Sequence, residues 1–313
     1  MVVDMRRLLS LPLLLLPILL GGAGSPSKPD PLWVPDWDQV AGLCVNQACN
    51  GANRDTGGKT IRNLTAYTSP ASPVLVLITI GQSNGTNVAP TPYSPTNASA
   101  IDNLNMYDGA IYAAADPQLG TNNNSGYTVA TALQNFRTAD TLITNGNFTR
   151  VLLVPGAIAG TLAADWGSGA YQTLPCMIMT RLKALGIAAG GNVTMAIDWM
   201  QGESDGPAGT SAGAYVASVG QVATSFSNCG FVGRFFVNIE SITLGVAYTT
   251  VQGAQSSMAG TTYGNAAVKA GANLDSLGNT YRNASDHTHF NDAGNAAAAA
   301  LKITAWHASG APF

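Results

Sequence analysis

Four short runs of apolar, largely β-branched residues constrain this chain more than any other feature. Val74 to Ile80 is the first, and Arg150 to Pro155, Val193 to Met200 and Arg234 to Ile239 share its character. A run that does not alternate with polar residues fits a strand covered on both faces. Helix-like segments separate the runs, around Tyr127 to Phe136, Tyr171 to Leu185 and Ala212 to Phe226, and an Ala-rich one closes the chain from Ala293 to His307. Buried strands alternating with helices predict a parallel sheet with helices on both faces. One extra strand is expected at Leu104 to Tyr107, inside a long Asn-, Pro- and Gly-rich insertion from Gly85 to Thr149. A long irregular insertion after the first strand is more often functional than idle.

Composition then removes several function classes. Of 313 residues, 46% are apolar and only 10% are charged, so core material is ample and intrinsic disorder is excluded. The 35 glycines follow no triplet period, which excludes collagen. With 14 Lys and Arg against 17 Asp and Glu, and no basic cluster, the chain is not expected to bind nucleic acid or an anionic membrane surface.

The N-terminus reads as an export signal. Arg6 and Arg7 precede the apolar run Leu8 to Leu20, and Gly21, Gly22, Ala23 and Gly24 follow. The run is shorter than the roughly 20 residues that span a bilayer, so residues 1–24 are expected to be a cleaved signal peptide with no membrane partner afterwards. Residues 25–73 read as an irregular N-terminal extension and 74–313 as the ordered domain. Four cysteines, Cys44, Cys49, Cys176 and Cys229, fit disulfides in an exported protein. Three pairings are open; Cys44 with Cys49 is the natural local one and would leave Cys176 with Cys229. Neither C-x-x-C nor clustered histidine stands beside them, so no metal site and no cofactor is expected. Seven N-x-S/T sequons, among them Asn84, leave two readings open, glycosylation or simply an Asn- and Thr-rich surface.

Parallel sheets bind ligands at the carboxyl ends of their strands. The residues there are G-Q-S-N-G (Gly81 to Gly85), G-A-I-A-G-T (Gly156 to Thr161) and Q-G-E-S-D (Gln201 to Asp205), with D-H-T-H-F (Asp286 to Phe290) ahead of the last helix. Ser83 follows a glycine able to turn sharply off a strand. A serine hydroxyl needs a base to become a nucleophile, which His289 can supply, with Asp286 fixing its tautomer. His287 is the alternative base, and His307 is expected only to pack or cap. Oxyanion donors would be the backbone N–H of Ser83, that of Gly160 and the side-chain amide of Gln201. Gln82 and Asn84, flanking the serine, and Glu203 are expected to support the site, Glu203 as a buried hydrogen-bonding acid or as a second polar group near the substrate. Trp166 and Trp199 are either core residues or sugar platforms.

Together, G-Q-S-N, Q-G-E-S-D and D-H-T-H resemble the SGNH-type carbohydrate esterases, in particular the family of acetylxylan esterases and sialate O-acetylesterases. The resemblance covers roughly Val74 to Ala308. It implies a three-layer α/β/α, flavodoxin-like domain with a central parallel sheet of about five strands and a shallow site without metal. It casts Ser83 as nucleophile, His289 as base, Asp286 as its partner, and Gln201 and Gly160 as oxyanion donors, acting on an acetylated carbohydrate. Ala159 stands where the family commonly has a first of two glycines, and Gly85 where it often has Met. The segment Ala115 to Leu119 looks like the family's substrate-side loop. The rival expectations are a sugar-binding protein that has lost catalysis, or an esterase of non-carbohydrate esters; the oligomeric state is left open.

Overall fold

The computed structural model describes residues 56–86, 88–120 and 132–313. The signal at 1–24, Cys44, Cys49 and the first part of the helix expected from Tyr127 lie outside them. Among the described residues eight strands form one sheet in the order β3-β2-β4-β1-β5-β6-β8-β7. They are β1 (Val74–Gly81), β2 (Ile101–Leu104), β3 (Ile111–Ala113), β4 (Arg150–Pro155), β5 (Val193–Met200), β6 (Gly233–Ile239), β7 (Thr262–Tyr263) and β8 (Ala266–Asn273). Six are mutually parallel, from β2 to β8, and antiparallel β3 and β7 finish the two edges. The sheet is therefore larger than the five strands expected.

The four apolar runs became β1, β4, β5 and β6, and β1 explains why two layers of helix are needed. Its side chains alternate between faces, as the pleat requires. Val74, Val76, Ile78 and Ile80 pack with Trp166, Ile178, Tyr215 and Phe226, whereas Leu75 and Leu77 pack with Phe136, Leu142, Ile303 and Trp306. The first face carries helices α3 (Ala163–Gly167), α4 (Leu174–Ala184), α6 (Ala212–Asn228) and α7 (Thr249–Ser257), and the second carries α2 (Leu133–Thr144) and α8 (Asp292–Ala308). Two single-turn helices, α1 (Thr65–Thr68) and α5 (Asp205–Ala208), complete the set. Side-chain caps start the two longest: Ser211 accepts from the Ala214 N–H, and Asn291 accepts from the Gly294 N–H at 2.8 Å.

Three local expectations shift. The extra strand lies at Ile101–Leu104, because Asn105 and Asp108 close a turn over the following residues, with the Asn105 amide donating to Asp108 at 2.9 Å. The helix expected to reach Phe136 instead runs from Leu133 to Thr144. The end of the supposed extension joins the sheet edge: Arg62 N–H donates to Ile111 and Ala113 N–H to Thr60, while fully buried Tyr67 donates its hydroxyl to Asp102 at 2.7 Å. Asp102, also buried, is neutralised by Arg62 and Arg150.

Cys176 on α4 and Cys229 at the end of α6 form a disulfide across 53 residues. Closing a loop of that length removes denatured-state entropy worth roughly 2–4 kcal/mol. The Cys176→Ser/Cys229→Ser double variant should lose about that much stability in urea unfolding. An unchanged unfolding midpoint would show that the covalent link adds nothing to helix packing.

Candidate functional site

Strand β1 lies between β4 and β5, so the chain reverses its direction of winding there, and the three strand ends form a crevice. Gly81 ends β1 with φ +118°, and a Cβ placed on it would lie 2.0 Å from the Met200 carbonyl oxygen. Only glycine allows β1 to leave the sheet beside β5 at this point. The chain then makes a single 3-10 turn, Ser83–Gly85, which sets Ser83 at its first position.

The loop before α8 meets that turn. His289 Nε2 lies 2.8 Å from Ser83 Oγ, and His289 Nδ1 lies 2.8 Å from Asp286 Oδ2. Asp286 Oδ1 also accepts from the backbone N–H groups of Thr288 and His289, at 2.8 and 2.9 Å. Burial works to raise the Asp286 carboxyl, but the ring of His289 and these two N–H groups outweigh it and hold the carboxyl below its ordinary value. The carboxylate is thereby kept ionised and aimed at the imidazole. His287 is exposed with φ +49° and lines a separate cavity with Asn283 and Asn291, away from Ser83. His307 meets Asn147 on the surface at 3.2 Å.

Ser83, His289, Gly160, Ala159, Thr243 and Thr288 border a shallow cavity of about 350 Å³, together with Gln82, Glu203 and Ser204. Gly160 takes φ +74°, a conformation that favours glycine, so the single glycine after Ala159 suffices for the turn. Among the described residues, the backbone N–H groups of Ser83 and Gly160 have no protein acceptor. Gln201 is placed differently from the sequence expectation. Its side chain is fully buried and does not border the cavity, and its Nε2 donates to Thr161 O at 3.1 Å and, closer still, to Asp205. With Gln82 Oε1 a third acceptor at 3.4 Å, the amide braces the loops beneath the cavity.

The supporting residues form a continuous buried net. Gln82 Oε1 accepts from Ser204 N–H at 3.1 Å, and Asp205 accepts from Ala163 N–H at 2.9 Å, which ties the loops after β1, β4 and β5 together. Asn84 donates to Glu203 Oε1 at 2.6 Å and accepts from Phe290 N–H at 3.3 Å, so it bridges the serine turn to the histidine loop. Being 2% exposed, Asn84 is no glycan acceptor in the folded protein. Trp166 and Trp199 are core residues, both fully buried and packed edge to face. Gln118, of the Ala115 to Leu119 segment, accepts from Asn135, whose amide also reaches Gly85 O at 3.3 Å, which places that segment beneath the serine turn.

Sequence reasoning missed Arg282 and Asp275. Arg282 is 2% exposed, donates to the Thr288 carbonyl, pairs with Asp275 at 3.1 Å and lies over the Phe290 ring at 4.5 Å. It thus clamps the residues on both sides of His289. The only available signal was an arginine four residues before Asp286 in a chain poor in charge. Asp275, which accepts from Ser241 and Ile242 backbone N–H groups, had none. Among the described residues no cluster of three His, Cys, Asp or Glu side chains is placed to hold a metal ion.

A three-layer α/β/α protein with a serine, histidine and aspartate in line at the switch point of its sheet is of the hydrolase class. A family model described as carbohydrate esterase, sialic acid-specific acetylesterase, matches residues 73–301, and the chain belongs to that family. No curated protein matches the sequence. Among solved structures, a protein from Arabidopsis thaliana is 17% identical with a TM-score of 0.48, covering 76% of this chain and 99% of its own. A carbohydrate acetylesterase from Xanthomonas citri is 14% identical with a TM-score of 0.43, covering 74% of this chain and 55% of its own. NanS is 15% identical with a TM-score of 0.40, covering 76% of this chain and 99% of its own.

Glu203 is the least ordinary acid of the site. Burial pushes its carboxyl up to about 7, only partly countered by its own backbone N–H, the Arg282 guanidinium and the Asn84 amide. Behind it, Glu240 is fully buried and pushed well above its ordinary value by burial and by the charge of Glu203. Between the ordinary 4.5 and about 7, the folded chain holds a proton on Glu203 that the unfolded chain has released. Stability must therefore fall as pH rises through that window. A Glu203→Gln variant lacks this term, so it should gain on the wild type between pH 4.5 and pH 8, by on the order of 3 kcal/mol in urea unfolding. A constant difference between the two proteins would mean that Glu203 is ionised throughout.

Proposed function

We propose that the chain is a secreted serine esterase that removes O-acetyl groups from carbohydrate, with Ser83 as nucleophile, His289 as general base and Asp286 as its partner. The observation that carries the reading is the relay from Asp286 through His289 to Ser83, two hydrogen bonds of 2.8 Å each. In such a relay His289 Nε2 takes the serine proton as Oγ bonds to the acetyl carbon, and Asp286 stabilises the imidazolium that results. The oxyanion is held by the N–H groups of Ser83 and Gly160, which border the same cavity. The ester C–O bond then breaks, its electron pair stays on the sugar oxygen, and His289 returns the proton there. Water, activated by the same imidazole, hydrolyses the acetyl-serine and releases acetate.

Family membership supports the acetylated carbohydrate as substrate, and the shallow, open cavity suits an acetyl group on a bulky alcohol. Export is supported by the Cys176–Cys229 disulfide and by the apolar run that opens the chain. No helix among the described residues is long and apolar enough to cross a membrane.

A Ser83→Ala variant with wild-type circular dichroism should lose at least roughly 10³-fold in kcat on p-nitrophenyl acetate, and the same on acetate release from acetylated glycans. Retained activity would remove Ser83 from the mechanism. Cleavage of aryl acetates with every glycan untouched would favour an esterase of other esters, and loss of both in the wild type would favour a sugar-binding protein.

A further inference from the structure

Among the described residues only two non-glycine positions have positive φ, Leu244 and His287, each at +49°. Backbone in this region is disfavoured for a leucine and persists only where surrounding structure imposes it, commonly at functional sites. The two residues lie on loops stitched together at the mouth of the serine cavity. Leu244 N–H donates to Thr288 Oγ1 at 2.9 Å and Gly245 N–H donates to the His287 carbonyl at 3.1 Å. On its other side, Thr243 Oγ1 donates to the Glu203 carbonyl. The turn 243–246 is thus tied both to the loop after β5 and to the loop that holds His289.

What this bracing presents outward is apolar. Leu244 is 73% exposed, the most exposed large apolar side chain among the described residues, and Val246 on the far side of Gly245 is 54% exposed. Isolated exposed leucines need no explanation. A leucine held in left-handed backbone, largely in solvent, on a turn whose neighbouring residue Thr243 borders the cavity is a different case.

The chemistry of acyl transfer says which half of the substrate lies there. The leaving oxygen has to come within hydrogen-bond reach of His289 Nε2 to receive its proton, whereas the carbonyl oxygen points to the Ser83 and Gly160 amides. The alcohol half therefore lies on the His289 side of the cavity, where Thr288 and Thr243 are border residues and Thr288 Oγ1 is bonded to the 243–246 turn. A pyranose ring is polar at its rim and apolar on its C–H faces, so it gains by laying a face on an exposed aliphatic side chain.

Resting on the serine-esterase reading above, we infer that Leu244 is a specificity residue, the platform on which the apolar face of the acetylated sugar lies while His289 protonates its oxygen. The platform belongs to the alcohol half of the ester and discriminates sugars from small alcohols, with no part in choosing the acyl group.

Leu244→Gly and Leu244→Asn both tolerate the left-handed backbone, so neither should disturb the turn. Each is to be assayed on a methyl pyranoside monoacetate, ethyl acetate and ethyl butyrate. The expected result is a rise in KM for the pyranoside acetate of about three- to tenfold, the low end of apolar discrimination, with both ethyl esters unchanged. An unchanged KM for the pyranoside overturns the proposal. So does an equal loss on the pyranoside and ethyl acetate, which would make the turn only a brace for His289, and so does a loss that tracks acyl length. If the wild type cleaves ethyl acetate but no pyranoside acetate, the carbohydrate reading falls and this inference with it. A variant unaffected beside an active wild type sinks this inference alone.

Discussion

The structure depends on the position of β1. It is the one strand with parallel partners β4 and β5 on either side at the point where the sheet reverses its winding, and every residue along it is buried. A strand so placed must leave the sheet where its neighbours also end, and it can do so only past the Met200 carbonyl. Glycine at 81 is the condition for that exit, and Ser83 reaches the crevice because of it. The loops after β4 and β5 flank the same exit, which is why residues 119 positions apart, such as Asn84 and Glu203, come within hydrogen-bond distance.

Histidine reaches this crevice from another direction, on a loop fixed by its own set of contacts. Helix α8 is docked on the sheet through Lys302, whose ammonium is fully buried and lies 2.6 Å from Asp198 on β5. Asn291 starts that helix two residues after His289. Upstream, Arg282 holds the Thr288 carbonyl and is itself held by Asp275. A buried ion pair gives little net stability, since desolvation opposes the attraction, but removing either partner leaves an uncompensated charge. Such pairs serve here to set geometry: the 2.8 Å relay between Asp286, His289 and Ser83 tolerates little drift.

The polar net under the cavity also explains why a chain with so few charges spends several of them in its interior. Asp205, Glu203, Glu240 and Arg282 are all essentially buried around the site. Burial of Glu203 and Glu240 favours their protonated forms, so the site floor can be packed without two adjacent negative charges. Asn84 and Gln82 supply neutral donors and acceptors at the remaining positions, and together they lock the serine turn to its neighbours.

From sequence alone the chain determined its class and its main strands, and narrowed the relay to Ser83, Asp286 and one of two histidines, His287 or His289. Unbroken apolar runs admit only a doubly covered strand, and a serine just past a strand end with two of the chain's three histidines on one loop ahead of the last helix admits few arrangements. Strand β8 was not legible, because A-A-V-K-A-G-A-N is small, mixed and only alternately buried. Nor was α7, built from Thr, Gln and Ser, whose helical state comes from packing of Val251 and Ala254 rather than from pattern. Tertiary structure alone decided between His289 and His287, and it set the Gln201 amide against Gln82, Thr161 and Asp205 beneath the cavity. It also placed Arg282 behind the base and bonded the Leu244 N–H to Thr288, which borders the cavity. These outcomes depend on which side chains compete for the same buried donors and acceptors, and that competition exists only once the strands are brought side by side.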